Sequence, residues 1–308
     1  MNLTMREAFG AKLAELGKTR NEIVVLDADV SSSTKSALFG KAFPERFFNC
    51  GVAEANMVGV AAGLATAGHH PVVNAFSIFL ALKATDQIRN AICYNRLPVI
   101  LAGAYGGLSD SFDGASHQSI ADIAIMRALP NMEVIVPSDS AQAEQALEYA
   151  LERNGPVYIR LNRNALPDLG SFPASSLTSA RILREGTDIT IAANGITAAM
   201  CLDAANVLSG RGFSAEVLSV PSVKPLDATG IAASVQKTGR ILTVEEHNII
   251  GGFGGACAEA LMRLGVHCAF DSVGIEDVFT ETGPYDELLA AYGLSAPAIA
   301  ERAEKLCR

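Results

Sequence analysis

Residues 53–102 read AEANMVGVAAGLATAGHHPVVNAFSIFLALKATDQIRNAICYNRLPVILA, and this stretch decides the fold class. Small apolar residues at helical spacing predict a helix over 53–67, and a short apolar run predicts a strand over 71–74. A second helix over 81–91 and a second strand over 97–102 follow. Such alternation is typical of a parallel sheet covered by helices on both faces.

The same alternation continues on both sides of this stretch. The first half is predicted to contain a helix within 3–18, a strand at 23–26, helices at 119–128 and 140–152, and strands at 133–136 and 157–161. The second half is predicted to contain strands at 189–193, 215–220 and 240–244 and helices at 196–209, 231–236 and 255–264.

Residues 164–179, NALPDLGSFPASSLTS, lack apolar periodicity and are rich in Pro, Gly and Ser, which indicates an interdomain linker. We therefore expect an α/β fold of two tandem doubly wound domains. The first, 1–165, has a parallel sheet, and the second, 187–308, is smaller and mostly parallel; the linker is 166–186.

The composition restricts the class of protein. The chain has 308 residues, 49% of them hydrophobic, and a net charge of -9, which fits a globular protein and argues against binding nucleic acid through phosphates. No apolar run resembles a secretory signal or is long enough to span a bilayer, so we expect a cytoplasmic location and no membrane contact. The six cysteines are scattered without zinc-binding spacing and predict reduced thiols and no metal site.

Ligands of doubly wound sheets bind beyond the carboxyl ends of the strands, so the loops there hold the candidate residues. Glu54 begins a helix of small apolar residues. It is either a first-turn acid favoured by the helix dipole or a buried carboxylate held for hydrogen bonding or proton transfer. Phe76 and Phe79 are either core aromatics or a pair of rings that sandwiches a planar heterocycle.

The loop 106–118, GGLSDSFDGASHQ, is glycine-rich, polar and too long for a simple turn. Asp113 and His117 are four residues apart and can face one ligand, with His117 as a general acid or base. The alternative is an Asp-Gly turn followed by Ser116 as a helix N-cap.

Two further motifs have weaker indications. Arg160 and Arg163 end a strand, where they either clamp an anionic group or lie in solvent. The glycines at 251–255, GGFGG, weakly suggest a phosphate-binding turn, although tight packing explains them better.

Taken together, LDAD at 26–29, GVAE at 51–54, FSIF at 76–79, DQIRN at 86–90 and DGASHQ at 113–118 resemble, in order and spacing, the pyrimidine-binding domain of transketolases. TVEEH at 243–247 and the glycines after it are similar to the transketolase C-terminal domain. The resemblance covers nearly the whole chain.

The resemblance implies a thiamine-diphosphate enzyme that transfers a two-carbon ketol unit from a ketose, or its phosphate, to an aldose. It implies that Glu54 contacts the aminopyrimidine N1′ and that Phe76 and Phe79 line the aminopyrimidine pocket. It further implies that Asp113 and His117 bind the substrate hydroxyl groups. The residues implied to bind the sugar phosphate are Arg6, Ser33 and Arg163.

The family pattern Gly-Asp-Gly followed some thirty residues later by Asn, which binds Mg²⁺ and diphosphate, does not occur in this sequence. The resemblance then implies a separate N-terminal transketolase subunit that carries the diphosphate-binding domain and the metal ligands, in an α2β2 assembly. Small sugars are the expected substrates.

The sequence departs from the family at two places. Ala104-Tyr105 replaces the usual Thr-His pair and removes a contact at the phosphate end of the substrate, which predicts that Tyr105 changes substrate preference. Phe112 replaces an acid beside Asp113. Alternatives are the β subunit of a 2-oxo-acid dehydrogenase and a non-catalytic regulatory subunit; a deoxyxylulose-phosphate synthase is disfavoured because it normally keeps three domains in one chain.

Overall fold

The computed structural model describes residues 3–170 and 177–308. The strands of the first half are β1 Ile23–Asp27, β2 Phe47–Asn49, β3 His70–Phe76, β4 Ile100–Ala104, β5 Glu133–Ile135 and β6 Val157–Leu161. Its α-helices are α1 Met5–Leu16, α2 Ser31–Thr34, α3 Ala37–Ala42, α4 Glu54–Thr66, α5 Ser77–Lys83, α6 Thr85–Gln87, α7 Asp122–Ala128 and α8 Ser140–Leu151. A 3₁₀ turn at Pro44–Arg46 and a π-helix at Ile88–Cys93 complete this half.

The second half repeats the alternation on a smaller scale. Its strands are β7 Arg181–Arg184, β8 Ile189–Ala193, β9 Ala215–Ser219, β10 Ser222–Lys224, β11 Arg240–Asn248 and β12 Ala269–Ile275. Its helices are α9 Thr197–Gly210, α10 Ala228–Thr238, α11 Phe253–Arg263, α12 Tyr285–Ala291 and α13 Ala296–Cys307.

Two mostly parallel sheets organise these elements, which confirms the predicted fold class. The first has the order β10-β5-β6-β4-β3-β1-β2, and the second has the order β12-β11-β8-β9-β7. Only the edge strands β10 and β7 are antiparallel among the described pairings. Strand β10 comes from the second half of the chain yet pairs with β5 of the first sheet, with Ser222 opposite Ile135.

The apolar runs form buried strands because helices cover both faces of the sheet. All five residues of β1, of β4 and of β6 are buried. Helix α4 packs its small residues closely on β3, with Met57, Val58 and Ala61 fully buried. Close packing of these small residues fixes the start of α4, and with it Glu54, against the sheet.

Two parts of the predicted layout differ in the structure. Residues 181–184 of the predicted linker form β7, which pairs with β9, while residues 171–176 lie outside the described residues. The single helix predicted over 81–91 is divided among α5, α6 and the π-helix. The Asn95 side chain donates to the carbonyl oxygens of Asn90 and Ala91 at 3.2 and 3.0 Å, which satisfies backbone acceptors at this irregular end.

Within the described ranges, every helix is too short or too polar to cross a bilayer.

Candidate functional site

Neighbouring strands bring the candidate loops together at one edge of the first sheet. Phe76 at the end of β3 is in register with Ala104 at the end of β4, which is in register with Leu161 at the end of β6. Because parallel strands share their carboxyl edge, the residues that follow these three positions converge. The predicted location of the site is therefore one continuous surface.

Glu54 occupies the first turn of α4 and is 5% exposed. Lys83 at the end of α5 reaches it, with Nζ 3.3 and 3.4 Å from the two carboxylate oxygens. The same ammonium lies 4.2 Å from the centre of the Phe79 ring. The structure thus supports the buried-carboxylate interpretation, since a buried acid needs a partner. Lys83 is not among the residues predicted from the sequence, although its spacing of four from Phe79 places both on one helix face.

Four rings line the surface beside Glu54. The ring of Phe76 lies 6.2 Å from that of Phe79 and 4.5 Å from that of Tyr105, while His117 lies 5.0 Å from Phe79. Phe76 and Phe79 are only half-buried. Both rings therefore keep some exposed surface, which is free to contact a planar group.

Tyr105 joins the two arginines predicted to hold an anion. Its hydroxyl accepts a hydrogen bond from Arg6 Nη1 at 2.5 Å, and the same nitrogen donates to the backbone oxygen of Ser33 at 2.9 Å. Arg6 Cζ lies 5.4 Å and Arg163 Cζ 5.0 Å from the centre of the Tyr105 ring. Arg6 Nε is buried without a hydrogen-bond partner. Arg6, Ser33, Tyr105 and Arg163 thus lie together, with donor capacity to spare.

The backbone of Tyr105 is strained. Its φ of 60° lies in the left-handed region, which is unfavourable for a bulky aromatic residue and costs on the order of 1–3 kcal/mol. Strain of this kind persists where the surroundings fix a residue. Here the hydrogen bond from Arg6 and the contact with Phe76 do so.

Asp110, which is not among the residues predicted from the sequence, lies beside Arg163 at the candidate site. It is 1% exposed, and Arg163 Nη1 donates to its Oδ1 at 2.9 Å. Burial raises the pKa of Asp110 and the neighbouring Asp113 carboxylate raises it further, whereas the charges of Arg163 and His117 lower it. The charged groups that act on the Asp110 carboxyl are thus Asp113, Arg163 and His117.

Asp113 is exposed and His117 is half-buried. The backbone N–H of His117 donates to Gly114 O at 2.9 Å, and Gly114 has a φ of 75°, so the predicted Asp-Gly turn exists. The N-cap prediction for Ser116 is wrong, because α7 begins only at Asp122. The Ser116 hydroxyl lies instead 3.0 Å from His117 Nδ1 and orients that ring.

Arg160 is not available to clamp an anionic group of a substrate, because its guanidinium is buried against residues of the chain itself. It is 5% exposed, and its Nε donates to Asp122 Oδ2 at 2.8 Å, to which the Tyr158 hydroxyl also donates at 2.7 Å. Arg160 Nη2 donates to the backbone oxygens of Ser119 and Glu246 at 2.8 and 2.9 Å. Both interpretations made from the sequence are therefore wrong, since the residue is part of a buried interdomain network.

Glu246 of the second half completes this network beneath the loop 106–118. It accepts from the backbone N–H of Leu108 at 2.8 Å, from the Tyr285 hydroxyl at 2.8 Å and from Asn162 Nδ2 at 3.3 Å. Burial raises the pKa of Glu246 to about 7, against the charge of Arg160. Gly107 has a φ of 65°, and a Cβ there would overlap the Glu246 carboxylate. The second half thus anchors the start of the loop.

The glycines at 251–255 serve packing, as the sequence favoured. The Glu245 carboxylate accepts from the backbone N–H groups of Phe253 and Gly254 at 2.6 and 2.8 Å. The start of α11 is therefore already occupied by an acid of the chain itself.

Comparison with known proteins identifies both halves. Residues 1–168 match the family model of the transketolase pyrimidine-binding domain, and residues 178–299 match that of the transketolase C-terminal domain. A putative transketolase C-terminal section of Methanocaldococcus jannaschii is 43% identical over 97% of this chain and 94% of its own length. A 6-deoxy-6-sulfo-D-fructose transketolase subunit of a Clostridium species is 39% identical over 98% of this chain and 94% of its own length.

Solved structures agree with these matches. A split-gene transketolase, described as an inactive β4 tetramer, has a TM-score of 0.90 and 44% identity, and the match covers 100% of this chain and 99% of that one. Transketolase of Pichia stipitis in complex with sedoheptulose 7-phosphate has a TM-score of 0.86 at 23% identity, with 46% of that chain covered, and shows a shared fold. The chain belongs to the transketolase family and contains its pyrimidine-binding and C-terminal domains.

Proposed function

We propose that this chain is the C-terminal subunit of a thiamine-diphosphate-dependent transketolase, which transfers a two-carbon ketol unit between sugars or sugar phosphates. The observation that carries the proposal is the position of Glu54, a 5% exposed carboxylate at the edge of a surface lined by half-buried aromatic rings. A non-catalytic subunit of the same fold would gain nothing from a buried carboxylate at this position.

These residues fit the aminopyrimidine part of thiamine diphosphate. Phe76 and Phe79 offer ring faces to a planar heterocycle, and Glu54 offers a carboxylate that can share a proton with a ring nitrogen. The bound cofactor supplies the carbon nucleophile that carries the two-carbon unit. Glu54 holds the proton at the pyrimidine nitrogen, and the rings exclude water from it.

The remaining candidate residues divide between the two ends of a sugar. Asp113 and His117 are placed to bind hydroxyl groups near the reacting carbons, with His117 as a general acid or base. Arg6, Arg163 and the Ser33 segment are placed to bind an anionic end, which the unpartnered Nε of Arg6 supports. Tyr105 contacts both arginines and offers a phenol where the family usually has an imidazole.

The anion at that end is phosphate or sulfonate. The Clostridium relative acts, by its name, on a sulfonated fructose, and its length is almost fully matched here. A substrate panel therefore includes phosphorylated, sulfonated and uncharged ketoses.

We further propose that activity requires a separate subunit that binds the diphosphate and Mg²⁺, in an α2β2 assembly. Two relatives matched over 94% of their length are described as a section and a subunit of a transketolase, and a third is an inactive β4 tetramer. The dehydrogenase and regulatory alternatives are not favoured, because the relatives named above are transketolases. The cytoplasmic location stays a prediction.

Calorimetric titration of the isolated chain and of the reconstituted complex tests this proposal. The isolated chain should bind thiamine diphosphate and Mg²⁺ weakly and show no ketol transfer, whereas the complex should transfer the unit from at least one ketose of the panel. Cofactor binding by the chain alone tighter than about 1 μM would contradict the requirement for a partner.

A further inference from the structure

A segment of the second half, residues 280–283, contacts the loop that carries Asp113 and His117. Gln118, which follows His117, lies between them and is 1% exposed. Its side-chain oxygen accepts a hydrogen bond from the Thr280 hydroxyl, and its Nε2 donates to Glu281 O at 3.0 Å. One amide side chain therefore uses both its donor and its acceptor across the domain boundary.

Two more contacts tie the same segment to the loop. The backbone N–H of Gly283 donates to Ser111 O at 3.2 Å. At Gly114 an added Cβ would lie 2.6 Å from the Thr282 hydroxyl oxygen, so the loop and the segment touch closely there. The loop is held at both ends and near its middle.

Between these anchors lie the side chains proposed to bind sugar hydroxyls. Asp113 is exposed, and His117 contacts the ring of Phe79 at 5.0 Å. Neither side chain forms a hydrogen bond to the second half among the described residues, so their positions depend on the backbone that carries them. Small misplacements of groups that orient a substrate are costly to catalysis.

We propose that Thr280 and Gln118 form an interdomain clamp that positions Asp113 and His117 for the ketose. This inference rests on the proposed function and extends it, since it makes the second domain a determinant of substrate binding. Thr280 and Gln118 are positioning residues, because they act through the loop.

The test compares two Thr280 variants in the reconstituted complex. Thr280→Val keeps the shape but removes the hydroxyl, and Thr280→Ser keeps the hydroxyl. Thr190→Val is the matched control, because Thr190 is a fully buried threonine of the second domain whose hydroxyl bonds Ser234 and Thr238. The readouts are KM and kcat for the ketose, the melting temperature, and amide hydrogen exchange of residues 111–118.

We expect Thr280→Val to raise KM roughly tenfold with a smaller change in kcat, and to speed amide exchange across 111–118. Thr280→Ser should resemble the wild type in both. Thr190→Val should lower the melting temperature without changing KM or exchange in the loop.

If Thr280→Val lowers the melting temperature but leaves KM and loop exchange unchanged, the clamp is merely packing and the inference is overturned. If the wild-type complex shows no ketol transfer, the proposed function fails. The exchange measurement still decides the clamp in that case, because it reports loop order without turnover: faster exchange supports it and unchanged exchange overturns it.

Discussion

Two buried glutamates, Glu54 and Glu246, have opposite surroundings. Within the described residues, the Glu54 carboxylate has hydrogen bonds from Lys83 alone, whose side chain is 48% exposed, and it borders half-buried rings. Glu246 is 3% exposed and accepts from a backbone N–H, a phenol and an amide that are themselves largely enclosed. A saturated buried acid is a structural anchor, whereas an acid with spare acceptor capacity at an open edge is available for a ligand.

The comparison is tested most strongly by Glu54→Gln. We expect ketol transfer by the reconstituted complex to fall on the order of 10²–10⁴-fold with every donor and acceptor, because the amide cannot exchange a proton with the pyrimidine. Hydrogen–deuterium exchange at C2 of the cofactor should slow in parallel, and the melting temperature should change little. An unchanged C2 exchange rate would reduce Glu54 to a first-turn acid.

Arg160→Met tests the structural role of the buried network to which Glu246 belongs. Removing this guanidinium leaves Asp122 buried without its counter-ion, which should cost about 3–5 kcal/mol of unfolding free energy. Urea unfolding measures this cost. Arg302→Met is the control, because Arg302 is 42% exposed and its partners Asp271 and Glu276 are 32% and 68% exposed, so it should contribute much less. Equal losses for the two variants would contradict the assignment.

Glu246→Gln tests the pKa of the anchor. The folded protein keeps a proton on Glu246 up to about pH 7, whereas the unfolded chain releases it near its ordinary value of 4.5. The folded state therefore binds more protons in this window, and stability should fall as the pH rises from about 4.5 to 7.

Glu246→Gln should flatten that decline in melting temperature, measured by calorimetry from pH 5 to 8. Glu22→Gln is the control, because hydrogen bonding to Arg20 lowers the pKa of Glu22. An unaltered decline in Glu246→Gln would mean that another group carries it.

Tyr105→His should have the smallest effect. An imidazole here offers a ring nitrogen to the anionic end of a sugar, so we expect the preference between phosphorylated and uncharged ketoses to shift roughly tenfold in kcat/KM. Tyr105→Phe separates loss of the hydroxyl from gain of the imidazole. If the wild type uses xylulose 5-phosphate as efficiently as ordinary transketolases do, and Tyr105→His does not change this, the prediction about Tyr105 is wrong.

The location of the site followed from the sequence because local patterns fix parallel strands, and parallel strands share a carboxyl edge. The predicted candidates Glu54, Phe76, Phe79 and His117 lie at this edge. The loop composition also indicated the turn at Gly114.

What could not be predicted depends on partners distant in the chain. The role of Arg160 is set by Asp122 and by the Glu246 carbonyl, which lies 86 residues away along the sequence. Strand β10 is three residues long, too short for any periodicity, and only its pairing with β5 defines it. Asp110 lies in a polar loop where its residue type is not unusual, and only its hydrogen bond from Arg163 in the folded protein distinguishes it.

Strand β10 has a consequence for any attempt to divide this chain. Because residues 222–224 complete the sheet of the first half, a fragment ending near residue 170 would leave the edge of β5 bare and prone to pair with other chains. Chimeras that exchange C-terminal domains among relatives must therefore match this strand to its host sheet. The two halves are better regarded as one cooperative folding unit than as interchangeable modules.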